Sequence, residues 1–577
     1  MKRSPLAPLA RVVQPARRSC WRWLTVVLLL SWASGCASLP ANSGRTPSVA
    51  FTQPQQTPLG QLAAARRAEV VGRSDSGFHL LEGVEEALTS RLALVDGATR
   101  TLDLQYYAIH ADASSETILQ RLRDAARRGV RVRILLDDFN SVGENAQVLR
   151  LAFVPNIEVR LFNPLPGPRN NMLGRIVTSL HDVGRMQKRM HNKLFIADNA
   201  WGITGGRNLG DRYFGSGDTQ NFVDLDVLAT GRIVRDMSAS FDRFWGDELA
   251  YPVQTLLDAE DIEALRKPEP TASAPAAQPG EAKAASLPAP VPALPATISP
   301  TVLPSVTPAA AVAADRPAMD LGQVPLTWAP ATLLVDQPGK IGPGDDEVDA
   351  GETVIDGLLH LMQGAQRDVL IISPYFVPGT PVMDVYEALR RRGVRVRVLT
   401  NSLASNDAPA AHAGYARYRE ALVAMGVELY EMRSDPESSA DLAGSSASAR
   451  GRGKGRFGSG VGGSKGGTSR ASLHSKAVII DGRLAVIGSM NLDLRSQLKN
   501  SEVALVIRST ALSRQAIRHV EQTFATGAYR VELRGGALHW RAPPGASFSD
   551  ADNEPDASLK LRLLVRLLGP LAPDEML

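Results

Sequence analysis

The chain has 577 residues, 44% hydrophobic and 21% charged, with a formal net charge of +4. That length accommodates two or more domains with sizeable cores, and so slight a charge does not by itself argue for a nucleic-acid partner. Both cysteines, Cys20 and Cys36, lie near the N-terminus, which excludes a disulfide framework or a thiolate metal site in the rest of the chain.

In chain order, Lys2, Arg3, Arg11, Arg17, Arg18 and Arg22 surround the approach to a short apolar run, Leu24 to Leu30. The run is too short to span a bilayer and suits a signal peptide. It leads into Ala33-Ser34-Gly35-Cys36, which resembles a bacterial lipobox. On that reading residues 1–35 are a lipoprotein signal peptide and Cys36 is the lipidated first residue of the mature protein. Ala37 rather than Asp after the cysteine points to the outer membrane, on the periplasmic side of the cell envelope. Residues 36–70, rich in Pro, Ser, Gln and Ala, read as a flexible tether.

Regular patterning begins after residue 70. Residues 78–98 read as a helix and 99–109 as a strand. Residues 116–129 then read as an amphipathic helix closed by Gly129, and 130–138 as a strand ending in acids. This order suggests a parallel βαβ unit. The second half repeats it with a helix at 352–365, a strand at 367–377, a helix at 381–393 and a strand at 394–402. The segment RRGVRVR occurs at 127–133 and again, unchanged, at 391–397. The chain is thus an internal duplication of α/β class: two homologous α-β-α domains, at 71–266 and 321–545. Residues 267–320, rich in Pro and Ala, read as a disordered linker.

Residues 434–472, rich in Gly, Ser and Arg, read as a disordered insertion whose Arg450, Arg452, Lys454, Arg456, Lys465 and Arg470 either meet anionic groups or are merely solvated. The tail, 546–577, carries an amphipathic cationic segment from Leu559. It either lies in a membrane interface, the preferred reading, or packs as a final helix.

Each half also holds one copy of a longer pattern: HNKLFIADNAWGITGGRN from His191 to Asn208, and HSKAVIIDGRLAVIGSMN from His474 to Asn491. Both read His-x-Lys, four residues, Asp, six residues, then Gly-[Ser/Gly]-x-Asn. The strand pattern places His191 beside Lys193 and His474 beside Lys476, at i and i+2 on one face. Two such sets converging about a pseudo-twofold axis, with the site at the domain interface, aim the donors Lys193, Lys476, Asn208 and Asn491 at one point. That selects a phosphoryl group, whose charge grows in the transition state. Two imidazoles divide the work: one attacks phosphorus, the other moves the proton. A lysine beside each histidine would repel a metal ion, so neither metal nor cofactor is expected.

The double HxKx4D pattern resembles that of the phospholipase D superfamily. The stretches GRMQKRMHNKLFIAD, GGRNLGDRYF, FVDLDVLATG, ISPYFVP, NSLASNDAPAAHAGYARYR and GSMNLDLRS resemble bacterial cardiolipin synthases of the C type. The resemblance implies that His191 is the nucleophile, forming a phosphohistidine, and that His474 is general acid and then base. It implies that Lys193, Lys476, Asn208 and Asn491 bind phosphate oxygens, with Ser489 near them. Glu502 would hold His191 and Asp224 would hold His474. Asp198 and Asp481 belong to the signature but end a strand, and are read as structural. Tyr106, Tyr107, Tyr375 and Phe376 are read as core.

The implied activity is phosphatidyl transfer on membrane phospholipids, phosphatidylglycerol and phosphatidylethanolamine, with phosphatidylglycerol as acceptor in a cardiolipin synthase-like reaction. Hydrolysis to phosphatidic acid is the alternative. A nuclease is a further alternative, although small nucleases of the superfamily carry one motif and dimerise, whereas this chain carries two. Completeness of both motifs argues against a non-catalytic binding protein. No protein partner is indicated.

Overall fold

The computed structural model describes residues 39–42, 44–72, 74–167, 169, 172–179, 182–216, 220–266, 317–342, 352–434 and 470–569. The proposed signal peptide and Cys36, most of the linker and most of the 434–472 insertion lie outside these residues.

Two nine-stranded sheets carry the fold. The first runs, edge to edge, Ala250–Pro252, Ile157–Phe162, Arg131–Asp137, Thr101–Tyr106, Leu194–Ala197, Trp201–Gly205, Asp226–Gly231, Ser76–Leu81 and Thr327–Trp328. The second, in the same sense, runs Ala537–Arg541, Ala528–Arg534, Glu428–Met432, Arg395–Asn401, Asp368–Ile372, Ala477–Ile480, Leu484–Gly488, Val503–Arg508 and Ala331–Val335. Eight strands correspond one to one, and the ninth is added at opposite edges. In each sheet the three βα strands are parallel and the remaining pairs antiparallel. The RRGVRVR copies feed equivalent strands, at 131–137 and 395–401.

One face of the first sheet packs on helices Val84–Gly97 and Ala113–Arg127, and the matching face of the second on Val354–Gln363 and Gly379–Arg391. The opposite faces share one core with helices Arg232–Gly246 and Thr510–Thr526, in which Leu194, Ile196 and Val227 join Leu370, Ile479 and Val503. Each sheet therefore has helices on both sides, and the two halves are joined through a common apolar interior.

Several expectations are corrected. Residues 39–68 are not a tether: Asn42 Nδ2 donates to the Glu248 carbonyl at 2.7 Å, Thr57 caps helix Pro58–Ala68, and Leu59 and Ala63 enter the first core. Low hydrophobicity hid a segment held mainly by polar contacts. Residues 78–98 are not one helix, because Ser76–Leu81 is a strand paired with Asp226–Gly231 before the helix starts at Val84. Residues 321–328 belong to the first half, with Leu321 and Val324 in its core and Thr327–Trp328 on its sheet. Met319, in the expected linker, already bonds the Thr89 carbonyl. Arg470, Ala471 and Ser472 lie in a strand, Arg470–Leu473, rather than in the insertion.

The tail helix, Leu559–Leu568, packs on the domain through Leu561, Val565 and Leu568. No helix among the described residues is long and apolar enough to cross a membrane.

Candidate active site

The catalytic-type residues are positioned by two small ladders that cross between the halves. Arg189–Met190 pairs in parallel with Asn500–Ser501, and Arg470–Leu473 pairs in parallel with Gln220–Val223. Each ladder runs directly into a histidine on one strand and a carboxylate on the other. The register continues for one more bond: His191 N–H donates to the Ser501 carbonyl at 2.9 Å, and His474 N–H to the Val223 carbonyl at 2.8 Å. His191 Nδ1 therefore lies 3.0 Å from both oxygens of Glu502, and His474 Nδ1 lies 2.6 Å from Asp224 Oδ2.

His191 and Lys193 stand just ahead of strand Leu194–Ala197, and His474 and Lys476 just ahead of Ala477–Ile480. The expected strand thus begins one residue later than the His-x-Lys triplet. Each lysine folds back on its own histidine: Lys193 Nζ donates to the His191 carbonyl at 2.7 Å, and Lys476 Nζ to the His474 carbonyl at 2.6 Å. Lys476 Nζ is also 3.3 Å from His474 Nε2.

Both histidines open into one cavity of about 680 Å³, together with Asn208 and Asn491. The lysines, Glu502 and Asp224 are buried behind that wall. Asn208 directs its Nδ2–H to Tyr213 Oη at 2.9 Å, whereas Asn491 Oδ1 is buried without a hydrogen-bond partner.

Electrostatics follow from this burial. Loss of water pushes His191 down to about 4, against the opposing pull of Glu502 and aided by Lys193. His474 is lowered by burial and by Lys476, with Asp224 opposing. Burial lowers Lys193 to about 7, opposed by Glu502. For the carboxylates burial acts upward, but His474 outweighs it to hold Asp224 at about 2, and His191 and Lys193 hold Glu502 below its ordinary value. Each carboxylate favours Nδ1–H on its imidazole, which leaves His191 Nε2 for chemistry, whereas His474 Nε2 has Lys476 Nζ at 3.3 Å.

The remaining predicted residues fall elsewhere. Ser489 does not face the cavity: its hydroxyl donates to Glu502 Oε2 at 2.5 Å, while Ser496 Oγ donates to Oε1 at 3.0 Å. Asp198 sits in the left-handed region at φ 53° and Asp481 at φ 55°, in the tight turns that close the two hairpins. Asp198 accepts the N–H groups of Thr99, Arg100 and Thr101 at 2.8–3.0 Å. Asp481 accepts those of Gln366, Arg367 and Asp368 at 2.7–3.1 Å. Each thus ties its hairpin to the start of the neighbouring strand.

Tyr106 and Phe376 are core residues. Tyr107 and Tyr375 are not simply core, because both line the cavity. Tyr107 meets the His191 ring edge-on at 5.1 Å, and Tyr375 Oη donates to Asp407 at 2.8 Å. A two-residue Tyr-Tyr run carries no signal of which ring turns inward.

Sequence reasoning also missed Asp137 and Asn401, which stand at the same position in the two halves, four residues after RRGVRVR. Asp137 Oδ2 accepts Met190 N–H at 2.9 Å. Asn401 accepts Leu473 N–H and donates to the Leu473 carbonyl, both at 2.9 Å. Each therefore clasps the residue before a cavity histidine. The acids ending the first strand were visible, but their target was not. Among the described residues no group of three or more His, Cys, Asp or Glu is placed to hold a metal ion.

The family model described as "Cardiolipin synthase, PLD-like domain" matches residues 92–245 and 358–525, one match in each half. The chain is 35% identical to cardiolipin synthase C of Escherichia coli (strain K12) over 502 residues, covering 87% of this chain and 96% of that one. It is 22% identical over 482 residues to a cardiolipin synthase of Geobacillus kaustophilus (strain HTA426), covering 82% and 70% respectively. Its fold is similar to the crystal structure of phosphatidylserine synthase from Haemophilus influenzae Rd KW20, with a TM-score of 0.50 and 13% identity, covering 89% of this chain and 98% of that one. With the paired matches falling on the two halves that build the cavity, the chain belongs to the cardiolipin synthase family of phospholipase D-like proteins.

Proposed function

We propose that the chain is a phosphatidyl transferase acting on membrane phospholipids, with phosphatidylglycerol as acceptor and cardiolipin as product. The observation that carries the reading is the convergence of two His–carboxylate couples, one from each half, on a single cavity.

His191, neutral and held through Nδ1, attacks the phosphorus of a phospholipid with Nε2. The P–N bond forms as the bond to the headgroup oxygen breaks. His474, protonated on Nε2, gives its proton to the departing alcohol. The incoming phosphodiester favours that protonated state, since it brings a negative charge to a site lined with depressed bases. Lys193 and Lys476 supply positive charge to the phosphoryl oxygens, and Asn491, on the cavity wall, offers them its amide N–H₂. An acceptor hydroxyl then loses its proton to His474 and displaces His191, which restores both imidazoles. The relative named for cardiolipin synthesis supports the acceptor chosen. Cys36 is read as the anchor that holds the protein on the periplasmic side of the envelope, at the outer membrane.

The test uses purified protein with vesicles of phosphatidylglycerol and phosphatidylethanolamine, wild type beside His191→Ala and His474→Ala, and mass spectrometry of the lipids. Cardiolipin formed by wild type alone supports the transferase. Phosphatidic acid with little cardiolipin makes water the acceptor, and no lipid product overturns the reading.

A further inference from the structure

The last described helix, Leu559–Leu568, is apolar on two opposite faces. Leu561, Val565 and Leu568 turn inward, onto Leu403, Ala404, Ala413 and Ala557. Leu559, Leu563 and Leu567, four residues apart, form a stripe on the outer side and are 81%, 57% and 60% exposed. Residues at that spacing share one face of a helix. At 100° per residue, Arg562 and Arg566 flank the stripe on one side and Lys560 on the other, and the helix contains no acid. Single exposed leucines are ordinary. An aligned set bordered by cations on both sides is the pattern of a helix lying in a bilayer interface, its apolar side down and its cations among headgroup phosphates.

Its place in the fold connects this stripe to the cavity. The inward face packs on helix Pro409–Ala416. That helix presents Ala413 to the tail helix and Ala410 and Ala411 to the cavity that holds His191 and His474. Arg417 at its end donates to the Gly569 carbonyl at 2.8 Å, tying down the far end of the tail helix. Helices are about 10 Å across, so a bilayer touching the stripe lies within about two helix diameters of the cavity wall.

We infer that the stripe Leu559, Leu563 and Leu567, with Lys560 and Arg566, docks the protein on an anionic phospholipid surface beside the cavity. The inference rests on the phospholipid reading for its purpose, but docking itself is measured without turnover.

An environment-sensitive bimane is attached at Leu563→Cys in the full chain with Cys20→Ser and Cys36→Ser, so that the label is unique. Vesicles of phosphatidylcholine with about one-third phosphatidylglycerol should shift its emission to the blue, and pure phosphatidylcholine vesicles should do so far less. Lys560→Gln with Arg566→Gln should weaken the response about 10- to 30-fold in lipid concentration. Absence of a shift with the anionic vesicles overturns the proposal. Independently, Leu559→Ser, Leu563→Ser and Leu567→Ser together should lower turnover on vesicles about tenfold or more and leave turnover of a dispersed short-chain phosphatidylglycerol unchanged. Equal loss on both substrates indicates a structural role and overturns docking. Wild-type protein that turns over neither lipid sinks the phospholipid reading, while the bimane response still decides the docking.

Discussion

His191 is held by Glu502, a residue 311 positions further along the chain, with Nδ1 at 3.0 Å from both carboxylate oxygens. The same Glu502 receives the hydroxyls of Ser489 and Ser496, so every nearby donor fixes it as an anion. Glu502→Gln keeps the volume but presents an N–H₂ that cannot accept from all of them. It is expected to leave the fold intact and lower kcat roughly 10²- to 10⁴-fold, the range seen when a histidine loses the carboxylate that sets its tautomer. Steady-state rates beside a thermal melt check this, and a rate within threefold of wild type would contradict the pairing's importance.

The proton needed by the leaving alcohol sits on His474, whose pKa is lowered by burial and Lys476. In the free enzyme kcat/KM should therefore fall as pH rises through a value below the usual histidine range. The bound phosphodiester raises that value, so the alkaline limb of kcat should lie at higher pH. On the acid side His191 keeps its lone pair until about pH 4. Because its folded pKa lies below the unfolded one, the stability it contributes is present above about pH 6.5 and lost as pH falls toward 4. Parallel pH profiles of kcat and kcat/KM test this; coincident alkaline limbs would count against it.

Asp198→Ala removes the acceptor for three backbone N–H groups and places a β-carbon residue without a polar side chain at positive φ. A loss of about 2–4 kcal/mol in unfolding free energy is expected, with the specific activity of the remaining folded protein preserved. Asp481→Ala should cost less, since its turn is more exposed to water, which can replace the lost bonds. Denaturant melts with activity per folded molecule separate this structural role from a chemical one.

Asn401→Ala frees both backbone groups of Leu473 and with them the placement of His474. The expected effect is a fall in kcat of about 10- to 100-fold with KM little changed. Asn401→Asp, which keeps the acceptor but not the donor, should fall between. Loss of KM and kcat alike would mean that Asn401 shapes the cavity rather than the histidine.

Much of this was written in local spacing. The repeated His-x-Lys…Asp…Asn pattern and the doubled RRGVRVR announced two like halves, and the resemblance to the phospholipase D superfamily, not spacing, implied Asp224 and Glu502 as partners of the opposite histidines. Contacts made across long separations left no such mark. Asp137 reaches Met190, and Asn401 reaches Leu473 over 72 residues, and nothing near either side chain points to its target. Composition misled at residues 39–68, where a segment rich in Pro, Ser and Gln looked like a tether but is held on the first domain by hydrogen bonds between side chains and backbone, from Asn42 and Arg45 and to Asp242. Ser489 was misplaced because its hydroxyl turns away from the cavity to the carboxylate behind it.

The two crossing ladders make each half the keeper of the other's chemistry. Neither half alone holds a histidine together with its carboxylate, so the molecule is in effect an obligate dimer carried on one polypeptide. The two fragments of a chain divided between the halves should be active only while they stay together, and neither alone should show any activity.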